Sequence, residues 1–407
     1  MIKKLFLTTL SCLSAALVIC SCSKPAASSS VPAPPPVSGD DSGTGTGDDN
    51  SGAQGGSSDW DAGTHCADIG QTPIILAYFT ENSKEMPDAT LLTHINYAHG
   101  RFADPTNGSG GIVVSESSQA PLAKVVALKS VNPKLKVMLM IGGWGMKADG
   151  FSMMARDGSK RTEFCQSVKS VIEKYGLDGV DIDWEYPTQS AEGTGADASD
   201  TRNFNLVLKE LRETLGTDKI ISFASSSSAN YVDWGTAMKY LDYVNVMTYD
   251  MGAAPNGHNS PLHKSARFNH RSWDESISAH VSGGVPKDRQ VAGVPFYGKA
   301  EKNSDIFDYE VKYNEMDEIL NKGTYKGASV AVNRVWEPTS MVPFLTDASG
   351  KNVLSYDDPE SVTAKGEYVV ANGLLGAMFW EYRHDSSDHA LLHALVRAVY
   401  GKETVTE

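Results

Sequence analysis

From Val180 to Glu185 apolar and acidic residues alternate without a break, inside the run Asp178-Gly179-Val180-Asp181-Ile182-Asp183-Trp184-Glu185-Tyr186-Pro187. A strand sends successive side chains to opposite faces, so Asp181, Asp183 and Glu185 share one side and Val180, Ile182 and Trp184 the other. The apolar side suits packing against helices. The acidic side then points to an interior where ordinary packing would place Val, Ile or Leu, and carboxylates crowded there are costly unless they share protons and hydrogen bonds.

The surrounding sequence supplies a closed sheet to hold such a strand. Eight β-rich runs follow one another: Pro73–Thr80, Thr93–His99, Lys136–Ile141, Gly179–Glu185, Lys219–Ser225, Tyr243–Tyr249, Gln290–Tyr297 and Leu374–Trp380. Between them lie amphipathic stretches such as Arg161–Tyr175, Thr201–Leu215, Asp274–Val281, Pro359–Ala371 and Asp388–Tyr400, with apolar residues at three and four spacing. This alternation predicts an α/β fold, a (β/α)8 TIM barrel over residues 73–400. A doubly wound open sheet is the alternative, but Glu81-Asn82-Ser83-Lys84 after the first strand is no Gly-x-Gly phosphate turn. Gly298 to Gly373 is longer than one crossover needs. Its Val330–Val335 and Val342–Thr346 runs suggest a small hairpin-like insertion between strands 7 and 8, at about 299–350.

Ahead of the barrel the texture differs. Met1-Ile-Lys-Lys and the apolar run Leu5 to Ile19 read as an export signal over residues 1–21, too short to span a membrane. Ile19-Cys20-Ser21-Cys22 resembles the bacterial lipoprotein cleavage box, which makes Cys22 the expected lipidation site; an ordinary signal with incidental cysteines is the alternative. Residues 22–58 then form a Ser/Gly/Pro/Asp tether without aromatic, leucine or isoleucine, unable to repay its ordering entropy, and 59–72 lead into the barrel. The tether's average reach is roughly 35 Å. The expected location is the cell envelope, lipid-anchored, at the outer membrane or cell surface, with the membrane a partner through the anchor. With 36 Lys+Arg against 50 Asp+Glu, a net charge of −14, there is no basic footprint for nucleic acid. Cys66 and Cys165 are too few for a metal set or disulfide framework, and a bridge between them has no support in the sequence.

Glu185 comes last on its strand, towards the rim where barrel chemistry sits, and neighbouring negative charge raises its affinity for a proton. A carboxylic acid kept protonated near neutral pH is what a glycosidic oxygen requires in order to leave. The acids could instead ligate Mg²⁺ or Ca²⁺, or form a solvated strand end. Metal cages recruit further oxygen ligands, whereas these acids are flanked by aromatics, so neither metal nor cofactor is expected. Acids two residues apart on one strand lie about 7 Å apart at Cα and point the same way, which ill suits an acid and a nucleophile on opposite sugar faces.

Asp178 to Glu185 matches, position by position, the D-G-x-D-x-D-x-E signature of glycoside hydrolase family 18, the chitinases and related endo-β-N-acetylglucosaminidases. Further resemblances occur in order: Ala77-Tyr78-Phe79, Gly142-Gly143-Trp144, Met247-Thr248-Tyr249-Asp250, Pro295-Phe296-Tyr297-Gly298 and Met378-Phe379-Trp380-Glu381. The resemblance implies substrate-assisted retention, in which the N-acetyl carbonyl of the sugar attacks its own anomeric carbon. Glu185 would be acid and then base, Asp183 would orient the acetamido group, Asp181 would hold Asp183 and share its proton, and Tyr249 would donate to the carbonyl; Asp178 would be structural. The implied partner is an oligo- or polysaccharide containing N-acetylglucosamine.

Trp380 falls where the family places the floor under the distorted sugar, and Trp144 would flank the cleft, with core packing the competing role for each. Tyr78, Met247, Asp250 and Tyr297 complete the expected substrate-binding set, although Tyr297 could equally serve packing. Trp234 and Trp336 border the groove or pack in the core. His258-Asn259 resembles a family loop, and Arg383, His384 and Asp385 could touch sugar hydroxyls or form a solvated loop. One departure stands out. Met140 occupies the position where many members carry a Ser supporting the acid equivalent to Asp181, so the polar partners of Asp181 are expected to shrink to Tyr78 or water, shifting the pH profile. The insertion domain of the larger chitinases looks curtailed, which would leave a shallower cleft on that side. A chitinase reading and an N-glycan-releasing one share these acids; non-catalytic sugar binding is a third reading on the same fold, but such members usually lack the terminal acid, which is present here as Glu185.

Overall fold

The computed structural model describes residues 67–406 except 84, 146–149, 191–193 and 269. The signal, Cys22, the tether and Cys66 lie outside the described residues. Eight parallel strands form the body: β1 (Ile74–Thr80), β2 (His94–Asp104), β3 (Lys136–Gly142), β4 (Gly179–Asp183), β5 (Ile220–Ser226), β6 (Tyr243–Met247), β7 (Gln290–Pro295) and β8 (Gly376–Trp380). Each pairs with its sequence neighbours, and β1 pairs with both β2 and β8, so the sheet closes into a barrel.

Strand alternation divides the apolar residues into two cores. Ile75, Ala77, Phe79, Val137, Leu139, Ile141, Val180 and Ile182 face outward to the helices, while Leu76, Tyr78, Ala98, Met138, Met140, Tyr243, Met247 and Met378 face into the barrel. Flexible methionines and hydroxyl-bearing aromatics dominate the inner set, filling space around the acids of β4 without demanding an all-aliphatic interior.

The helix starts are set by their caps and fall within three residues of where the apolar periodicity begins. Asp157 accepts from Ser159 and Lys160 amides and starts α1 (Gly158–Tyr175), which ends at Gly176. Ser272 and Glu275 form a capping box on α2 (Trp273–Gly283), and Asp358 caps α3 (Pro359–Ala371), which opens on a proline. The last helix, α4, spans Ala390–Tyr400, two residues inside its expected start. Asp385 accepts from the amides of Leu391 and Leu392 in its first turn.

Two elements differ from the sequence expectation. β2 runs past His99 to Asp104 and turns into an antiparallel strand, Ser109–Val114. Its Gly- and Ser-rich turn hid a short alternation in which Phe102 and Ile112 pack into the helix-facing core. The insertion is no lone hairpin at 299–350: it spans Tyr297–Ser355 as a five-stranded antiparallel sheet, in the order Glu310–Lys312, Tyr297–Ala300, Asn352–Ser355, Val342–Thr346 and Asn333–Glu337. Phe307, Val311, Met316, Ile319, Leu345 and Leu354 give it a core of its own. Only Phe296 separates it from β7, so one wall of the barrel mouth continues into it.

At the N-terminal ends of the strands, the lead-in from Ala67 is tied down. Ala67 N donates to Asp242, Lys136 pairs with Asp68, and Gln71 donates to the Val405 carbonyl at 2.5 Å. Asp242 also accepts from Arg212, a buried pair at 2.6 Å. Asp178 binds the Val137 amide at 2.6 Å and Lys129 at 2.6 Å, holding β3 to β4 below the acids.

The end of β3 meets β4 through Gly142, at φ +103°, and a β-carbon there would lie 2.2 Å from the Asp183 carbonyl oxygen. Gly143 donates its amide to that same oxygen at 2.8 Å. Gly142→Ala combines a strained φ with a backbone clash, so it should cost at least about 2 kcal/mol. Thermal unfolding followed by circular dichroism checks this; an unchanged midpoint would show that the two strands need no such close approach.

Candidate active site

The three acids climb from the barrel interior towards its mouth: Asp181 is 0% exposed, Asp183 4% and Glu185 8%. The ladder of β4 stops at Asp183, and Trp184 and Glu185 carry the alternation beyond it. Trp184 faces outward as its position requires, stacked on Phe151 at 5.4 Å and edge-on to Phe204 at 5.8 Å. This aromatic clamp fixes the segment from behind and leaves its acidic side to the mouth.

Asp181 has more partners than expected. Its carboxylate accepts from Tyr78 Oη at 2.8 Å, Ser222 Oγ at 2.6 Å and Asn245 Nδ2 at 3.0 Å, with Asn96 also pulling towards ionisation. The predicted thinning of its polar shell at Met140 is therefore corrected. Met140 stands in register with Asp181 on β3, and Ser222 stands in register with it on β5, so the hydroxyl missing from one neighbouring strand comes from the other. Sequence reasoning passed over Ser222, Asn245 and Asn96, although all occupy inward positions of apolar strands where a polar residue is itself a signal. Burial pushes the Asp181 carboxyl up to about 6 even against these donors.

Tyr249 follows β6 by two residues and lies against Gly293 of β7, where a β-carbon would come within 2.7 Å of its ring. Burial, then the negative charges of Asp183 and Glu185, push its hydroxyl well above the usual tyrosine range. It therefore keeps its proton and remains a donor. Glu185 in turn accepts from Tyr186, whose ring stacks on Tyr231 at 5.3 Å. Trp380 ends β8 with its ring 5.6 Å from that of Tyr78 and 6.3 Å from that of His99, half-buried over the inner core. Trp144 is 56% exposed after β3, which excludes a core role for it. The mouth thus presents a carboxyl at its rim, a hydroxyl donor, a more buried pair of acids and an aromatic floor, a set able to protonate a leaving oxygen while stabilising charge beneath it.

The model of glycosyl hydrolases family 18 matches residues 74–385. The chain belongs to this family. It is 31% identical over 406 residues to chitinase A1 of Niallia circulans, covering 78% of this chain and 56% of that protein, so the chain spans little more than half of that relative. It is 28% identical to chitinase B of Serratia marcescens, covering 76% of each. Among solved structures, a family 18 N-acetylglucosaminidase from Paenibacillus barengoltzii superposes with a TM-score of 0.68 at 30% identity, covering 80% of this chain and 99% of that one. The chain is a chitinase-like member, with the closed (β/α)8 barrel of these neighbours.

In this family 18 barrel the insertion supplies the far side of the mouth. Tyr297 donates to Asp250 Oδ1 at 2.8 Å, and Lys299 lies between Asp250 at 3.2 Å and Glu310 at 3.4 Å, over the rings of Tyr297 and Tyr309. Asp250 and Tyr297 therefore sit together, tied to a lysine that sequence reasoning did not select. His258 and Asn259 are fully buried. His258 is wedged between Phe268 and Phe344, where burial lowers its pKa to about 4, and Asn259 bonds the Asp250 amide and the Tyr297 carbonyl. Trp234 is core, and Trp336 lies half-buried under Arg334 on the insertion's edge strand. Arg383 and His384 pair with Glu381, and Asp385 is taken up by α4; His384 and Asp385 are buried structural ties, while Arg383 stays exposed to solvent. Burial opposes ionisation of Glu381, but its two partners hold the carboxyl down at about 2. Cys165 is buried in the outer core, its thiol pushed up to about 12. Among the described residues no three His, Cys, Asp or Glu side chains gather as a metal site.

Hydroxyl and amide donors favour the Asp181 carboxylate, so removing one must raise its pKa further. Ser222→Ala should move the activity limb that follows Asp181 to higher pH by roughly 0.5–1 unit, the worth of one buried hydrogen bond. A pH–rate profile identical to the wild type would detach Asp181 from the titration. The stability consequence has the matching sign: the contribution of this carboxyl is full below the unfolded value of 3.8 and is lost as pH rises through about 6.

Proposed function

We propose that the chain is a retaining glycoside hydrolase that cleaves β-1,4-linked N-acetylglucosamine, in chitin or its oligosaccharides, with the substrate's acetamido group as nucleophile. The observation that carries this reading is the file of Asp181, Asp183 and Glu185 on one strand side, ascending from a fully buried acid to one at the barrel mouth. Asp183 and Glu185 on one strand side are poorly placed as acid and nucleophile on opposite sugar faces, and an attacking oxygen supplied by the sugar resolves that difficulty.

Glu185 gives its proton to the glycosidic oxygen as the C1–O bond breaks. The acetamido carbonyl oxygen bonds to C1 and closes a cyclic oxazolinium, whose N–H faces Asp183. Asp181, poised near pH 6, shares a proton with Asp183 and so tunes the charge available to that N–H. Tyr249 donates to the carbonyl oxygen before it closes on C1. Water then attacks C1, Glu185 takes its proton, and the ring reopens to a product of retained configuration. Trp380 offers a flat apolar face to the sugar's C–H side, and Trp144 flanks the groove.

The names of the chitinase relatives and of the N-acetylglucosaminidase neighbour support this substrate class. Chitotetraose and chitopentaose should be cleaved, with the β-anomer of the product appearing first by NMR, while a high-mannose N-glycopeptide should not. Release of the N-glycan instead would transfer the same acids to an endo-β-N-acetylglucosaminidase, and binding without turnover would reduce the chain to a lectin. Glu185→Gln should lower kcat by about 10³-fold or more, and Asp183→Asn by about 10²-fold, with native circular dichroism in both.

The envelope location belongs to the same proposal: Cys22 carries the lipid and residues 23–58 tether the barrel. In an exporting bacterial host the wild type should fractionate with membranes and Cys22→Ser should not. Equal fractionation of the two would remove the anchor.

A further inference from the structure

Behind the barrel wall lies an ion pair that the proposed mechanism does not use. Lys365 of α3 and Asp357 are both fully buried and directly paired, with Ser361 donating to Asp357 at 2.7 Å. Burial drives the lysine's pKa down and the aspartate's up, so this pair costs desolvation at a place where an apolar pair would pack. Stability is a weak reason for its presence.

Its second contact suggests another. Lys365 Nζ donates to Ser260 Oγ at 3.0 Å, and Trp273 Nε1 donates to the same oxygen at 2.9 Å. With both lone pairs taken, the Ser260 hydroxyl proton can point only one way, to the Thr248 carbonyl at 2.6 Å. Thr248 is further pinned by its hydroxyl, which accepts from the Gly293 amide at 2.8 Å and donates to the Gly293 carbonyl at 2.8 Å. Asn259, next to Ser260, receives the amides of Asp250 and Met251. The backbone on either side of Tyr249 is therefore held by residues 259 and 260, and Lys365 fixes the direction of the hydrogen bond that does so.

We infer that Lys365, together with Asp357 and Ser260, is a positioning element for catalysis, acting through the Thr248 carbonyl to hold the Tyr249 hydroxyl over the acid file. Lys365 touches no substrate. The inference rests on the role proposed for Tyr249, and its test separates the two.

Lys365→Met with Asp357→Asn removes both charges and nearly keeps the volume, so the melting temperature should stay level or rise. Because the loss acts on orientation, kcat on chitotetraose should fall roughly ten- to a hundredfold while KM stays within about twofold. Ser260→Ala should reproduce that fall with both charges in place, and Ser260→Thr should restore most of it, which covers the case of a double variant that does not fold. The decisive arm is a double-mutant cycle: in a Tyr249→Phe background, Ser260→Ala should cost less than about twofold. An equal loss in that background, a fall in kcat that only tracks a falling melting temperature, or full activity without the Ser260 hydroxyl would overturn the positioning role and leave Tyr249 in place. If Tyr249→Phe itself turns over normally, both readings fall together.

Discussion

A carboxylate with no access to water lies at the centre of the barrel, and the architecture around it can be understood as the means of keeping it there. Asp181 needs donors, and it draws them from Tyr78, Asn96, Ser222 and Asn245, that is from β1, β2, β5 and β6. A single charged side chain thus cross-links strands on opposite sides of the closed sheet. The same low-dielectric setting that makes an unpaired carboxylate intolerable makes this one responsive, since burial moves its titration from 3.8 up to about 6, close to neutral pH.

The Met140 position shows how a motif can be departed from without loss of the chemistry it serves. Family resemblance leads to the expectation that a hydroxyl absent from β3 weakens the acid's support. The register says otherwise: a residue in the middle of a strand has two flanking strands, and Ser222 on β5 is as near as a serine on β3 would be. What the acid requires is a donor at a given height in the barrel, and the strand it comes from is interchangeable.

Much of this was legible in the sequence. The alternation through Val180–Glu185 announced both faces of β4, the eight runs gave the closed sheet, and Tyr249, Asp250, Tyr297 and Trp380 converge on one mouth as the order of motifs implied. The features that stayed hidden share a physical character. Lys299 and Lys365 look like ordinary surface lysines until the fold buries them, Ser222 and Asn245 gain meaning only from strand register, and the insertion's sheet is assembled from segments of three to five residues too short to show a period. Long-range pairing, not local composition, decides each of these.

The tie between Gln71 and Val405 brings the two ends of the described chain together beneath the strands, at the pole opposite Glu185 and Trp380. A support bead, a fluorophore or a fused module joined directly after Thr406 therefore starts from the blind side of the barrel, away from the entrance that a polymer too large to diffuse inside has to reach.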